Sequence, residues 1–451
     1  MIFLSLRRAA AAAAFASVSV GLMGASALQT TFVPISNPAA LKAFFEAQAS
    51  GSDVRILHIG DSHIARDTFS GDLRTLFAAK SKPGSRGMLP AGNVYPFYTA
   101  RGVEIDMSDG WDVVRARNEE APGPFGVMNA RVMAEAGISP WIALSGFETP
   151  VERLLIGYQR QPEGGVLQVH MDSKVHAVPT SGEPGFAFAA LPVRKGTQIV
   201  RIAAAGDGPV ALFSLVLEAD VGGPVLSNSG WPGATAEIMA RWDDDLLRME
   251  LGRLDPDLII VGYGTNEGFD DKLDLGDYEA VLRAQLVRLK RFAPGASILL
   301  TGGPDGTRLP HYADTDAREP HEWRCAPLNE AERQQYVDLI AEESETLLRW
   351  HDAPQLSAVL VLQKRVALDV GAAHWDWRAA MGGACAVHQW RLAEDPQLAR
   401  PDHVHLTGDG YKASASALFE AINGAFVARQ GDREGRPVPD RDKSGSGVTR
   451  D

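Results

Sequence analysis

The chain has 451 residues, 45% of them hydrophobic, enough for two domains with a sizeable core. Its 57 acidic and 44 basic residues give a net charge of −13, which argues against a nucleic-acid partner and suits a neutral or weakly charged substrate. No basic patch with interleaved aromatic residues occurs.

Residues 1–27 read as a signal peptide: Arg7 and Arg8 form the positive end, Ala9 to Met23 the apolar region, and Ala25-Ser26-Ala27 a cleavage site. The apolar region is shorter than the roughly 20 residues that span a bilayer, so export with cleavage is expected, with no integral membrane segment left afterwards. A helix with Ser36 as its cap follows over Asn37 to Gln48, and then an apolar strand from Val54 to Ile59. The strand runs into Gly60-Asp61-Ser62-His63, a sharp turn before another helix, and Lys80 to Gly102 reads as a long surface loop.

From residue 103 to 222 the pattern changes to short β-rich runs punctuated by Gly and Pro. They lie at Val151 to Tyr158, Val166 to Met171, Val175 to Val178, Phe186 to Leu191, Gln198 to Ala203 and Pro209 to Glu218. That spacing predicts an inserted antiparallel sandwich or jelly roll. From Thr235 helical periodicity returns, through Ile238, Trp242 and Leu246, and ends near Leu254. Strands are expected at Asp257 to Val261 and Ser297 to Thr301, and helices at Asp277 to Phe292, Asn329 to Trp350, up to Val370, and Gly410 to Val427. Apolar strands alternating with helices mean an α/β domain with a largely parallel sheet. The division is therefore 1–27 signal, 28–102 and 223–428 the two parts of the α/β domain, 103–222 the insertion, and 429–451 a disordered tail.

In an open parallel sheet, reactive groups collect beyond the carboxyl ends of the strands. Ser62 lies at one such end, where a helix amino terminus can stabilise negative charge, although a serine there can equally serve only as a cap. Asn266, in Gly264-Thr265-Asn266, lies at another and can aim its amide at an oxyanion. Asp402 precedes His405 by three residues, a spacing that lets the carboxylate hold Nδ1 and leave Nε2 free as a base.

Gly60-Asp61-Ser62, Gly233 in Asn228-Ser229-Gly230-Trp231-Pro232-Gly233-Ala234, Gly264-x-Asn266 and Asp402-x-x-His405 resemble the four blocks of the SGNH (GDSL-like) hydrolases. The resemblance covers about residues 54–67 and 227–425 and implies a flavodoxin-like three-layer fold. It also implies Ser62 as nucleophile, His405 and Asp402 as its base and orienting acid, and an oxyanion hole from the Ser62 N–H, Gly233 and Asn266. His63 stands where the common GDSL form has leucine. A β-rich insertion between the first two blocks, with Trp375-Asp376-Trp377-Arg378, is similar to the periplasmic peptidoglycan O-acetylesterases. That branch implies a periplasmic or secreted serine esterase acting on an O-acetylated glycan, peptidoglycan first, with no metal or organic cofactor. The same residues can transfer acetyl to a glycan hydroxyl instead, and the sandwich can belong to a non-catalytic glycan-binding protein.

Other readings stay open at this level. His403-x-His405 has the alternation of a metal pair, and Asp243-Asp244-Asp245 can be a carboxylate site or the solvated side of a helix. Trp375 and Trp377 can stack on a sugar or fill the core. Cys325 and Cys385, an even pair in an exported chain, are expected to form a disulfide.

Overall fold

The computed structural model describes residues 30–434 apart from 52, 80, 221 and 318. The expected signal segment and residues 435–451 of the expected tail lie outside the described residues.

Five parallel strands form the central sheet: Arg55–Gly60 (β1), Val225–Gly230 (β2), Leu258–Gly262 (β3), Ser297–Thr301 (β4) and Ala373–Trp375 (β5). Their order is β2-β1-β3-β4-β5, with β1 paired to β2 and β3 on either side. Alternation along the strands feeds two cores. Leu57, Ile59, Ile259 and Val261 face helices Asp244–Leu254 (α2), Leu275–Phe292 (α3) and Leu356–Asp369 (α4). Ile56, Leu258, Ile260 and Leu299 face helices Thr68–Ala78 (α1) and Gly408–Glu434 (α5). These near-continuous apolar strands are buried on both sides, as a parallel sheet between helical layers requires.

The insertion is a β-sandwich. One sheet runs in the order Gly185–Pro192, Arg153–Arg160, Val210–Glu218, Ala130–Ala134, Asp112–Arg115. The other runs Glu104–Met107, Trp141–Ser145, Val200–Ala204, Val166–Met171, Lys174–Pro179. The strands between residues 104 and 145 were not legible, because exposed polar residues interrupt their alternation, as in Asp112–Arg115.

Several sequence expectations need correction. Residues 80–102 are not all surface loop: Gly87–Pro90 is a buried strand pairing with Val210–Glu218, so the sandwich begins before residue 103. Glycine and proline flanks hide its apolar residues Met88 and Leu89. Strand β2 went unread because Ser227, Asn228 and Ser229 look polar, yet all three are buried and hydrogen-bonded. The helix expected from Thr235 breaks at Trp242, where Asp243 caps α2 by accepting from the Asp245 and Leu246 N–H groups. The long helix over Asn329 to Trp350 is instead short pieces at Glu330–Gln334, Tyr336–Ala341 and Glu345–Leu347. Residues 429–434, expected in the tail, continue α5.

The sandwich is packed onto the α/β domain, and one apolar cluster runs through both. Glu250 of α2 is fully buried at this junction, accepting from Ser214 Oγ at 2.8 Å and from the Val127 N–H at 2.7 Å. Trp231 donates to Met128 O at 3.1 Å and Trp242 to Asn129 Oδ1 at 2.7 Å. Burial pushes the Glu250 carboxyl up to about 7, against the two hydrogen bonds that favour its charged form.

The raised folded-state value means that the native protein holds this proton more tightly than the unfolded chain. Stability therefore falls as pH rises from about 4.5 to about 7 and then levels. Urea unfolding at pH 5 and pH 8 should show a smaller difference for Glu250→Gln than for the unaltered protein. Separately, Cys325 and Cys385 are bonded with Cα atoms 5.8 Å apart and a sequence separation of 60. Reducing and alkylating them should lower the unfolding free energy by roughly 2–4 kcal/mol, read from the urea midpoint.

Candidate active site

The turn that carries Ser62 is folded back over the end of the sheet, and three aligned glycines make room for it. Gly60 pairs in register with Gly230 of β2 and with Gly262 of β3. A Cβ on Gly60 would lie 2.3 Å from Gly262 O, and one on Gly230 would lie 2.1 Å from the Ala65 nitrogen. Asp61 then fixes the turn: its N–H donates to Gly262 O at 3.1 Å, and its carboxylate accepts the His63 N–H at 2.9 Å. Burial pushes the Asp61 carboxyl up to about 6.

His405 stands between Ser62 and Asp402. Its Nε2 is 2.9 Å from Ser62 Oγ and its Nδ1 is 2.8 Å from Asp402 Oδ2. Burial pushes the Asp402 carboxyl up, but the His405 ring and the Val404 and His405 N–H groups outweigh it and hold it well below the usual carboxylate range. A carboxylate kept ionised against Nδ1 leaves Nε2 as the atom that can take a proton from the serine.

His63 packs its ring 5.4 Å from that of His405, and its Nδ1 lies 3.1 Å from Tyr411 Oη. Burial, helped by His405, lowers His63 to about 3, so it remains uncharged beside an imidazole that would become an imidazolium. The leucine position of the common motif is thus filled by a neutral, hydrogen-bonded ring.

Gly233 and Asn266 lie on the neighbouring turn. Asn266 Nδ2 donates to Ala234 O at 2.8 Å, and the buried Glu267 accepts the Ala236 N–H at 2.8 Å. These two bonds hold the segment after Gly233 in place. One amide proton of Asn266 is engaged in this way, leaving the other able to face a bound oxyanion. The Ser62 and Gly233 N–H groups have no acceptor among the described residues. Gly233 has φ +72°, and a Cβ there would meet the Arg117 guanidinium at 2.6 Å.

The remaining sequence candidates resolve into structural roles. His403 points away from His405, stacking on Trp350 with centroids 3.5 Å apart, while its Nδ1 lies 3.3 Å from Thr307 Oγ1. Trp375 and Trp377 are core residues, and Trp377 donates to Ser414 Oγ at 2.9 Å.

Sequence reading missed the walls. A pocket of about 340 Å³ over Ser62 and His405 is lined by Arg66, Thr68, Pro232, Arg400 and Tyr411. A larger one of about 750 Å³ begins at Gly233, the residue after Pro232, and is lined by Arg115 to Glu119 of the insertion and by Ala234, Thr235, Glu237, Ile238, Ala240 and Arg241. Arg241 pins that insertion loop by donating to the carbonyls of Ala116, Asn118 and Ala121. Apart from Pro232 and Ala234 of the Gly233 block, none of these residues carries a motif, and only folding brings the insertion loop beside Gly233.

The close approach under the turn makes a stability prediction. Gly60→Ala should cost at least about 3 kcal/mol, because the obstacle is backbone that cannot move aside. Gly252→Ala, in open space on α2, should instead stabilise by roughly 0.5–1 kcal/mol. Urea unfolding of the two variants measures both.

The GDSL-like lipase/acylhydrolase family model matches residues 196–413, which hold Gly233, Asn266, Asp402 and His405, while Ser62 lies upstream of the insertion. Among solved structures, one described as a peptidoglycan O-acetylesterase in action aligns with a TM-score of 0.65 and 23% identity, over 87% of this chain and 96% of that one. A family two carbohydrate esterase from Cellvibrio japonicus gives a weaker likeness, with a TM-score of 0.25 and 12% identity over 72% of this chain and 98% of that one. A search of curated proteins returns no match. Residues 196–413 thus match the GDSL-like lipase/acylhydrolase model, and the α/β domain with its inserted β-sandwich shares its fold with the structure described as a peptidoglycan O-acetylesterase.

Proposed function

We propose that the protein is an exported serine esterase that removes O-acetyl groups from a glycan, with peptidoglycan as the substrate. The observation that carries this reading is the single imidazole within hydrogen-bond distance of both Ser62 Oγ and Asp402. Support for the glycan comes from the likeness to the peptidoglycan O-acetylesterase over most of both chains. Further support is the two-domain cleft, whose larger pocket has room for sugar units beyond the acetyl group. No helix among the described residues is long and apolar enough to cross a membrane.

In this reading Ser62 Oγ attacks the acetyl carbonyl while His405 Nε2 takes its proton. The Ser62 and Gly233 N–H groups and the Asn266 amide stabilise the oxyanion. As the tetrahedral intermediate collapses, His405 returns the proton to the sugar oxygen, which leaves as the hydroxyl. Water, deprotonated by the same imidazole, then releases acetate from Ser62. Asp402 keeps His405 in the productive tautomer and stabilises its charged form. All of this chemistry is supplied by side chains and backbone.

The test is acetate release from a panel of O-acetylated glycans and a small acetate ester. Ser62→Ala and His405→Ala should each lower kcat by at least about a thousandfold. His403→Ala, which loses its stacking on Trp350, should lower thermal stability yet keep most turnover. Equal loss of kcat in the two histidine variants would make the assignment of the base wrong. Acetate release from simple esters but from no glycan would overturn the substrate.

A further inference from the structure

The pocket over Ser62 has a charge pattern that ester hydrolysis alone does not require. Two of its lining residues, Arg66 and Arg400, are exposed cations, and no carboxylate lines it. Three neighbouring acids are engaged elsewhere, and the exposed Asp409, next to Gly408, does not line the pocket. Asp402 is held by His405, Asp61 is buried beneath the serine turn, and Asp67 is buried against Arg74 and Arg86. Neither guanidinium has an acidic partner among the described residues.

Both cations are built into the turns that carry the reacting side chains. Arg66 follows Ser62 and sits at φ +64°, in the left-handed region. For a residue with a Cβ, that conformation costs on the order of 1 kcal/mol and persists only where its surroundings impose it. Here the Arg66 N–H donates to Tyr95 Oη at 3.3 Å, and its carbonyl accepts from Thr99 Oγ1 at 2.9 Å. Arg400 is tied to the other side of the pocket. Its N–H donates to His405 O at 2.8 Å and its Nε to Leu406 O at 3.2 Å, which leaves the terminal nitrogens of the guanidinium free to meet a ligand.

We propose that Arg66 and Arg400 form an anion subsite, so that the preferred substrate carries a carboxylate or phosphate on the same unit as its acetyl ester. The proposal rests on the esterase reading above and narrows its substrate. Guanidinium groups read both anions by paired N–H donors, and binding that anion would hold the acetyl carbonyl against Ser62. It departs from the neutral substrate suggested by the net charge, because that charge is an average over the whole surface and the pocket has the opposite sign.

Three acetate esters of one sugar scaffold, one neutral, one carboxylated and one phosphorylated, provide the test. The unaltered enzyme should favour at least one charged ester over the neutral one by about tenfold or more in kcat/KM, and which one it favours identifies the anion. In the double variant Arg66→Asn/Arg400→Gln that ratio should collapse, mainly through KM. Asparagine is chosen because it tolerates the left-handed backbone. Lysine at both positions should retain part of the preference. A purely structural role would lower all three substrates together and leave the ratio intact, which would overturn the proposal, as would the absence of any charged preference in the unaltered enzyme. Should no ester be turned over, the esterase reading itself fails. Calorimetric binding of the deacetylated carboxylated and phosphorylated sugars to Ser62→Ala, with and without the double substitution, then decides the subsite. Equal affinities would overturn it.

Discussion

One buried carboxylate holds the Ser62 side of this molecule together. Asp67 is fully buried, accepts from Arg74 at 2.9 Å and Arg86 at 3.0 Å, and takes the Arg101 N–H at 2.9 Å. Burial alone would raise its carboxyl, and the two guanidinium groups keep it ionised. Arg86 continues to Asn228 Oδ1 in β2 and to the Arg101 carbonyl, while Arg74 reaches the Leu226 carbonyl. The serine turn, α1, the segment leading into the sandwich and the strand returning from it thus share one desolvated charge cluster. Removing Asp67 would leave the buried Arg86 without its carboxylate partner, the costly case for a buried ion pair. The left-handed backbone at Arg66 and Asp67 persists because this cluster and the Tyr95 and Thr99 hydroxyls leave the chain no cheaper alternative.

The insertion, by the same logic, is a part of the site rather than an appendage. It returns to the sheet at its amino edge, where Val225 pairs with Arg55, and it is joined to the α/β domain by a continuous apolar cluster and by the buried Glu250 bonds. Cutting it out would strip the faces of Trp231 and Trp242 and leave Glu250 without partners. Its loop from Arg115 to Ala121 is pinned by Arg241 and places Arg117 against Gly233. The Gly233 side of the cleft therefore has one wall from each domain, a geometry with room for an extended ligand.

Electrostatics inside the site follow from burial combined with a few directed bonds. His63 stays neutral beside His405, and Asp402 stays charged because three N–H groups converge on it. Glu267, pushed up to about 7 by burial, holds the Ala236 N–H and with Asn266 fixes the turn after Gly233. Ser62 and His405 thus lie between groups whose charge states are set by their surroundings.

Local pattern was enough to determine much of this protein. The β1 strand, the sharp turn at Ser62, the Asp402-x-x-His405 spacing and strands such as Val166–Met171 are encoded by consecutive residues whose periodicity and turn chemistry act over a few positions. The pairing of Cys325 with Cys385 could be expected from their number alone. What sequence could not show depends on burial supplied from elsewhere. β2 becomes a central-sheet strand because Met88, Val127 and Ile64 provide partners for its serines and asparagine. Gly87–Pro90 becomes a strand only because Val210–Glu218 has an edge to offer it. His403 and His405 are indistinguishable as letters, and the stacking surface of Trp350 assigns one to the core and leaves the other facing Ser62. The cations around Ser62 belong to the same class, since the side on which a guanidinium emerges depends on backbone strain and packing that only the folded chain imposes.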